Sequence, residues 1–173
     1  MNIKSFKFLI PIVLVSFVLT GCFEDIAGPY DGPDKVAFAQ VGGGYSAAVP
    51  AGQGTVSLQT ELIGPQRSAS TSVGVSVVNE EVYNIKEVVQ DDGSVRVDST
   101  LLALPTTAQE GVHYELPDSY SFPANASLAP LDFNILDADI DSPVRLTIRL
   151  DGSADLEPAE LWRYFTITIQ PSN

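Results

Sequence analysis

The stretch VRLTIRL, residues 144–150, alternates apolar and polar side chains along its whole length. Successive side chains of an extended strand point to opposite faces, so the four apolar residues would share one face and Arg145, Thr147 and Arg149 the other. A helix would instead need apolar residues three or four positions apart. The stretch therefore predicts a β-strand with one face in a core and the other in water.

The same period of two recurs between Lys35 and the end of the chain. Further runs of this kind, or runs rich in β-forming residues, occupy residues 55–62, 72–78, 82–89, 94–101, 131–135 and 163–170. Turn signals separate them at intervals of roughly 8 to 12 residues, which is typical of antiparallel sandwiches and barrels. We predict an all-β fold, an Ig-like antiparallel β-sandwich of roughly seven to nine strands, in a single domain over residues 35–173. Only residues 154–161 could hold a helical turn.

The segment Asp91-Asp92-Gly93 separates two of these runs. Glycine readily adopts the positive φ that a tight hairpin turn needs, so the flanking runs predict an elongated hairpin at about residues 79–103. Its tip would project beyond the sandwich. Projecting segments often carry binding residues, and we therefore identify this hairpin as the candidate contact with a partner. The alternative is a decorated turn that binds nothing.

The N-terminal residues have the pattern of a targeting segment. Lys4 and Lys7 precede the apolar run FLIPIVLVSFVL, residues 8–19. As a helix this run would be about 18 Å long, too short for the roughly 30 Å hydrocarbon core of a bilayer. The pattern therefore predicts a signal peptide rather than a lasting membrane span.

The residues Leu19-Thr20-Gly21-Cys22 resemble the bacterial lipobox, and Cys22 is the single cysteine of the chain. The resemblance implies that residues 1–21 are removed and that the Cys22 thiol receives a fatty acid such as palmitate. Residues 22–34, with two prolines, two glycines and four acids, would then be a flexible acidic tether. The implied location is the bacterial cell envelope, at the outer membrane, with its periplasmic or surface face left open. A free or buried cysteine after an apolar run is the alternative.

The charge of the chain restricts its partners. The formal net charge is −13, and loss of residues 1–21 removes two lysines and no acid, which changes it to −15. Nucleic acid is excluded as a partner, because its binding needs a basic surface. Docking on anionic lipid is excluded for the same reason, so membrane attachment would depend on the lipid at Cys22.

The segment AQEGVHY, residues 108–114, followed by SFPAN at 121–125 and the strands near 131–135 and 144–150, is similar to Calx-beta modules and related Ig-like domains of envelope lipoproteins. The resemblance covers about residues 70–170. It implies an antiparallel sandwich in which Gly111 permits the turn before a strand and Tyr114 packs between the sheets.

Some Calx-beta modules bind calcium, which draws attention to Asp137, Asp139 and Asp141. Three carboxylates at alternate positions could supply oxygen ligands to a hard divalent cation. An EF-hand loop is excluded, since Ser142 stands at the position of the required glycine, and Asp141-Ser142-Pro143 replaces the glutamates of calcium-binding Calx-beta domains. A solvated acidic turn is the alternative to a calcium site.

No arrangement of residues indicates an enzyme. His113 is the single histidine, predicted to lie in a strand with one ring nitrogen bonded locally, and no G-x-S-x-G or phosphate-loop motif is present. The sequence predicts an adhesion or interaction module with an unidentified protein or glycan partner. The alternative is a calcium-binding or glycan-binding surface lipoprotein, with sugar stacking on Tyr83, Tyr120 or Trp162. The alternative for Trp162 is a structural role, in which it anchors the last strand in the core.

Overall fold

A computed structural model describes residues 32–172, and within that range every regular element is a β-strand. There are twelve strands in chain order: β1 Lys35–Phe38, β2 Ser46–Pro50, β3 Gly54–Ile63, β4 Thr71–Val77, β5 Val82–Val89, β6 Val95–Ala103, β7 Tyr114–Glu115, β8 Ser119–Phe122, β9 Leu128–Ile135, β10 Val144–Gly152, β11 Glu157–Pro158 and β12 Tyr164–Gln170. No helix of the described part is long and apolar enough to cross a membrane.

Ten of these strands form two five-stranded sheets. The first sheet has the order β11-β1-β3-β9-β7, and the second has the order β2-β12-β10-β4-β8. Most neighbours are antiparallel, whereas β11 runs parallel to β1 and β2 runs parallel to β12. The remaining strands, β5 and β6, pair only with each other. The predicted all-β sandwich is confirmed.

One hydrophobic core joins the two sheets. Buried residues from the first sheet, such as Phe38 and Leu131, belong to the same cluster as Ile148 and Ile167 from the second. The rings of Phe38 and Phe165 lie 5.5 Å apart between centroids, in a tilted arrangement that suits aromatic pairs. Burial of these alternate side chains stabilises the sandwich without any disulfide.

The structure has more strands than the sequence predicted. β7 and β11 contain two residues each, and β1, β2 and β8 contain four or five. Such short strands show too few alternations to be recognised in the sequence. The helical turn suggested for residues 154–161 is wrong, because this segment forms a bridge between Ser153 and Leu156 and then the strand β11.

Strand β10 follows the predicted alternation with one exception. Leu146, Ile148 and Leu150 are fully buried, as expected, but Thr147 is fully buried too. The chain after the hairpin covers the outer face of β10: the Thr147 backbone N–H donates to Thr106 Oγ1 at 3.0 Å, and Thr106 Oγ1 donates to the Thr147 carbonyl at 3.2 Å. A covering segment of this kind leaves no mark on the alternation of the strand itself.

The hairpin formed by β5 and β6 rests on the second sheet only at its base. Val78, Ala103 and Tyr164 form a small buried cluster there, with Val82 and Leu102 packed against it. From Tyr83 to Leu101 most residues of the hairpin are exposed. The hairpin is therefore a two-stranded ribbon attached to the sandwich by one end.

Candidate functional site

One face of the hairpin carries mainly large apolar side chains. Residues directly opposite each other on paired strands project from the same face. On this face the pairs are Tyr83 with Leu101, Ile85 with Ser99, Glu87 with Val97, and Val89 with Val95. We call the six large apolar residues of this set the apolar hairpin face: Tyr83, Ile85, Val89, Val95, Val97 and Leu101.

The apolar hairpin face has no cover within residues 32–172. Its six side chains are between 44% (Leu101) and 71% (Val89) exposed. Single exposed apolar residues are common on protein surfaces, but a contiguous set on one face of a ribbon marks a contact surface. No other strand of the described chain pairs with the outer edge of β5 or β6, so the edges are open as well.

The opposite face of the hairpin is polar. Lys86 lies opposite Asp98, and Arg96 lies opposite Val88. Arg96 donates to the Asp98 carboxylate at 2.7 Å along the same strand. Three of the four charged residues of β5 and β6 lie on this face and Glu87 lies on the other, so the ribbon is amphipathic even though both faces are exposed along most of its length.

The tip of the hairpin is acidic and contains local hydrogen bonds. Asp92 Oδ1 accepts hydrogen bonds from the Ser94 hydroxyl at 2.6 Å and from the Ser94 backbone N–H at 2.9 Å, which lowers the pKa of Asp92. Gly93 has φ of 81°, as the turn signal required. At the other end of the ribbon the Tyr83 hydroxyl donates to Glu81 at 2.6 Å, and this bond raises the pKa of Tyr83.

Sequence reasoning selected the tip of the hairpin and overlooked its face. Within 94–101 the apolar residues Val95, Val97 and Leu101 fall on one set of alternate positions, but within 82–89 adjacent apolar residues such as Val88 and Val89 blur the alternation. The missing step was the register across the turn, which brings Ile85 and Val89 onto the same face as Val95 and Val97. The turn chemistry fixes this register and could have revealed the face.

The three acids proposed for calcium lie in the loop between β9 and β10. Asp137 is turned toward the turn before β3, where a Cβ on Gly52 would stand 3.1 Å from Asp137 Oδ1. Nowhere between residues 32 and 172 do three or more His, Cys, Asp or Glu side chains gather around a common metal position. As arranged, Asp137, Asp139 and Asp141 do not form the oxygen cage that calcium needs.

The three candidate stacking aromatics differ in access. Tyr83 belongs to the apolar hairpin face. Tyr120 is half-buried, and burial raises its pKa to about 12. Trp162 is 45% exposed, so its assignment to the core is wrong. Trp162 lies in the turn before β12, and its backbone carbonyl accepts a hydrogen bond from the Phe38 N–H at 2.8 Å. Its side chain lines an open cleft of about 230 Å³ together with Leu161, Lys35 and Glu160.

In the segment 108–114, which carries the Calx-beta resemblance, Gly111 and Tyr114 have the predicted conformation and burial, whereas His113 differs in its position. Gly111 has φ of 73°, and Tyr114 is buried in the core. His113 lies in the turn before β7 rather than in a strand, and its Nδ1 accepts from the Gln109 backbone N–H at 2.7 Å. The predicted local bond of the ring is present. The predicted signal peptide, residues 1–21, and Cys22 lie outside the described residues.

Comparison with solved structures identifies similar folds. The apo form of the Calx CBD1 domain matches 82% of this chain and all of its own length, with 14% identity and a TM-score of 0.54. The Calx CBD2 domain matches 80% of this chain and 86% of its own, with 14% identity and a TM-score of 0.51. The calcium binding domain CBD12 of CALX1.1 matches 73% of this chain and 42% of its own length, with 15% identity and a TM-score of 0.50.

These similarities show a Calx-beta-like fold. No protein family and no curated protein matches the sequence. At 14 to 15% identity the shared architecture does not carry a shared activity, because β-sandwiches host many unrelated functions.

Proposed function

We propose that this chain is a lipid-anchored, non-enzymatic interaction module of the bacterial cell envelope, and that it holds a protein partner on the apolar hairpin face. The observation that supports the contact is the exposure of six large apolar side chains on one side of a single ribbon. Each would gain roughly 1 kcal/mol or more from burial, since half to two thirds of a side chain remains in water. A partner that covers the face would gain this free energy on binding.

The stability of the ribbon supports the same proposal. A two-stranded hairpin without further packing is marginally stable in water. Only the base of this hairpin packs on the sandwich, through Val82 and Leu102 against Tyr164. An exposed apolar ribbon with open edges also invites aggregation, so retention of such a surface is explained by a contact that covers it.

The anchoring part of the proposal rests on the lipobox. The segment 23–34 joins Cys22 to β1 and could extend at most about 40 Å. A lipid on Cys22 would hold the sandwich near the membrane while the tether allows it to reorient toward a partner. Replacement of Cys22 by Ala should leave precursor that is not labelled by radioactive palmitate and is not cleaved. Labelled or processed Cys22→Ala protein would contradict the anchoring part alone.

The contact is tested with paired variants of the hairpin. Ile85→Thr with Val97→Thr removes apolar surface from the face and keeps β-branched residues in both strands. Lys86→Thr with Val88→Thr is the matched control on the opposite face. Partner recovery after cross-linking in intact cells should fall at least about tenfold for the first variant and stay unchanged for the control. Equal recovery with both variants would place the contact elsewhere on the molecule.

Calcium binding is the alternative that the comparisons raise, since one similar structure is named a calcium binding domain. The carboxylates of Asp137, Asp139 and Asp141 would have to move together to coordinate an ion, because they do not converge as they stand. We therefore rank calcium below the protein contact.

Glycan binding has one favourable observation. The exposed indole of Trp162 borders a cleft in which Lys35 and Glu160 offer a hydrogen-bond donor and an acceptor. Sugars stack on exposed aromatic rings and bond to flanking polar groups. Binding of labelled oligosaccharides that is lost in Trp162→Ala, with the hairpin variants unaffected, would move the function to this cleft.

A further inference from the structure

We infer that the partner presents an amphipathic helix with basic flanks, which lies along the apolar hairpin face. This inference depends on the proposed function, in which that face contacts a protein. It follows from the dimensions of the face and from the charges around it.

The face has the width of one helix. Two paired strands are about 4.8 Å apart, so with their side chains they present a surface roughly 10 Å wide, and the seven residues from Tyr83 to Val89 extend about 23 Å. A single added strand covers about half of that width. An α-helix is 10–12 Å in diameter, and about 16 residues of helix match the length, so one helix covers the whole face.

The charges around the face are acidic. Residues 79–103 contain six carboxylates and two cations, and both cations, Lys86 and Arg96, lie on the opposite face. Glu87 is the single charged side chain among the eight residues of the apolar side. Asp91 and Asp92 border the tip, and Glu81 stands beside Tyr83 at the base. A helix with an apolar stripe flanked by Lys or Arg would meet a carboxylate at each end and in the middle.

A second copy of this chain fits the face less well. Two copies would bring the Glu87 carboxylates and the acidic tips toward each other, on chains that each carry a large negative charge. A basic helix gains attraction where a second copy gains repulsion.

The test uses the full chain in detergent and two synthetic helical peptides of about 16 residues, each with a photo-reactive group. Both peptides have leucines at positions three and four apart. One has lysine at the flanking positions and the other has glutamate. The readout is the yield of cross-link to residues 82–101, mapped by mass spectrometry, which peptide bound to detergent alone does not produce.

Half-maximal cross-linking should need at least about tenfold less of the lysine peptide than of the glutamate peptide. The preference should shrink between about 50 mM and about 500 mM salt, because salt screens charges at a surface. Glu87→Gln should reduce the preference, and Ile85→Thr with Val97→Thr should reduce binding of both peptides. Lys86→Thr with Val88→Thr, which removes a cation from the opposite face, should reduce neither.

Three results would overturn the inference and leave the proposed function standing. Equal cross-linking of both peptides would remove the charge requirement. Stronger cross-linking of an extended peptide of alternating valine and lysine would make the partner a strand. Cross-links between two full chains at the hairpin would make it a second copy. The proposed function would fail on a different result, namely that partner recovery after cross-linking in cells is the same for Ile85→Thr with Val97→Thr as for the unchanged protein.

Discussion

The Tyr120 hydroxyl donates a hydrogen bond of 2.8 Å to Thr60 Oγ1 across the interior of the sandwich. Tyr120 lies on β8 of the second sheet and Thr60 on β3 of the first, and Thr60 donates in turn to the Ala129 carbonyl on β9 at 2.9 Å. Thr60 is fully buried, so its hydroxyl needs both partners to avoid the cost of an unsatisfied polar group. This polar chain fixes the spacing of the two sheets at one point.

Ionisation of the Tyr120 hydroxyl should destabilise the fold at alkaline pH. Burial raises the pKa of Tyr120 to about 12, above the ordinary value of 10.0. Between these values the folded protein keeps the proton that the unfolded chain loses, so the free energy of unfolding should fall as pH rises from 10 to 12. The total loss is about 2 to 3 kcal/mol. Urea unfolding at several alkaline pH values measures it.

Tyr120→Phe should flatten this pH dependence while costing about 1 kcal/mol at neutral pH for the lost bond to Thr60. Tyr45→Phe is the matched control, because the Tyr45 hydroxyl contacts the Gln40 side chain at 3.4 Å and takes no part in the Tyr120–Thr60–Ala129 chain, and it should retain the alkaline fall. An unchanged slope in Tyr120→Phe would assign the pH dependence to other groups.

Gly152 should tolerate no side chain. It has φ of 75° at the irregularity of β10, and an added Cβ would stand 2.8 Å from Pro158 Cδ and also against the Leu156 carbonyl oxygen. Both the positive φ and the contact with backbone are costly, so Gly152→Ala should reduce the free energy of unfolding by about 3 kcal/mol or more.

Gly93→Ala separates the cost of the positive φ from the cost of a steric contact. Gly93 has a similar φ of 81°, but nothing lies within 4 Å of an added Cβ. This variant should cost only about 1 kcal/mol, the price of the backbone conformation alone. Chemical denaturation of both variants checks the comparison, and equal costs would mean that the segment around Leu156 can move away.

Arg67 should stabilise the end of the sandwich where β1 begins. Its guanidinium pairs with the Asp34 carboxylate at 3.1 Å and with the Asp155 carboxylate, and it donates to the Asp155 carbonyl at 2.9 Å. The Arg67 and Asp34 side chains are 21% and 25% exposed, so removing Arg67 takes the ion-pair partner from a partly buried carboxylate. Arg67→Ala should therefore cost about 1 to 3 kcal/mol.

Arg96→Ala is the control for this ion pair. Arg96 and Asp98 form a pair of 2.7 Å whose side chains are 64% and 44% exposed. Exposed pairs contribute little, so this variant should change the free energy of unfolding by less than about 0.5 kcal/mol. If thermal unfolding gives the two variants the same loss, burial does not distinguish the pairs.

The sequence was sufficient for the parts of the fold that depend on local pattern. Alternation located β3, β4, β9, β10 and β12, because a strand with one buried face repeats every two residues. It could not show that Thr147 would be covered by the segment around Thr106, or that Tyr120 and Thr60 would meet. These contacts join residues 41 and 60 positions apart, and no local periodicity encodes them.

The candidate site was predictable in part. Turn residues indicated the hairpin, but its apolar face emerges only when the two strands are placed in register. Trp162 was misjudged because its place in a turn before β12, rather than within the strand, decides its exposure. Composition alone favours burial of a tryptophan.

Calcium should not stabilise this domain. Because Asp137, Asp139 and Asp141 do not gather around one position, millimolar calcium should leave the thermal unfolding temperature unchanged relative to chelator. A ligand that binds only the folded state adds about 2.7 kcal/mol at a hundredfold excess over its dissociation constant. For a domain of this size that corresponds to a rise of roughly 5 to 10 °C, which calorimetry detects easily.

A rise of that size would show that the loop between β9 and β10 rearranges around the ion. The triple variant Asp137→Asn, Asp139→Asn and Asp141→Asn would then have to abolish the rise, since amides keep the shape of the loop and remove its charge. The strands β5 and β6 pair only with each other and not with β9 or β10, so the face variants should leave any calcium response intact. Calcium binding and the hairpin contact are thus separable by mutation, and loss of both responses in one variant would point to general unfolding.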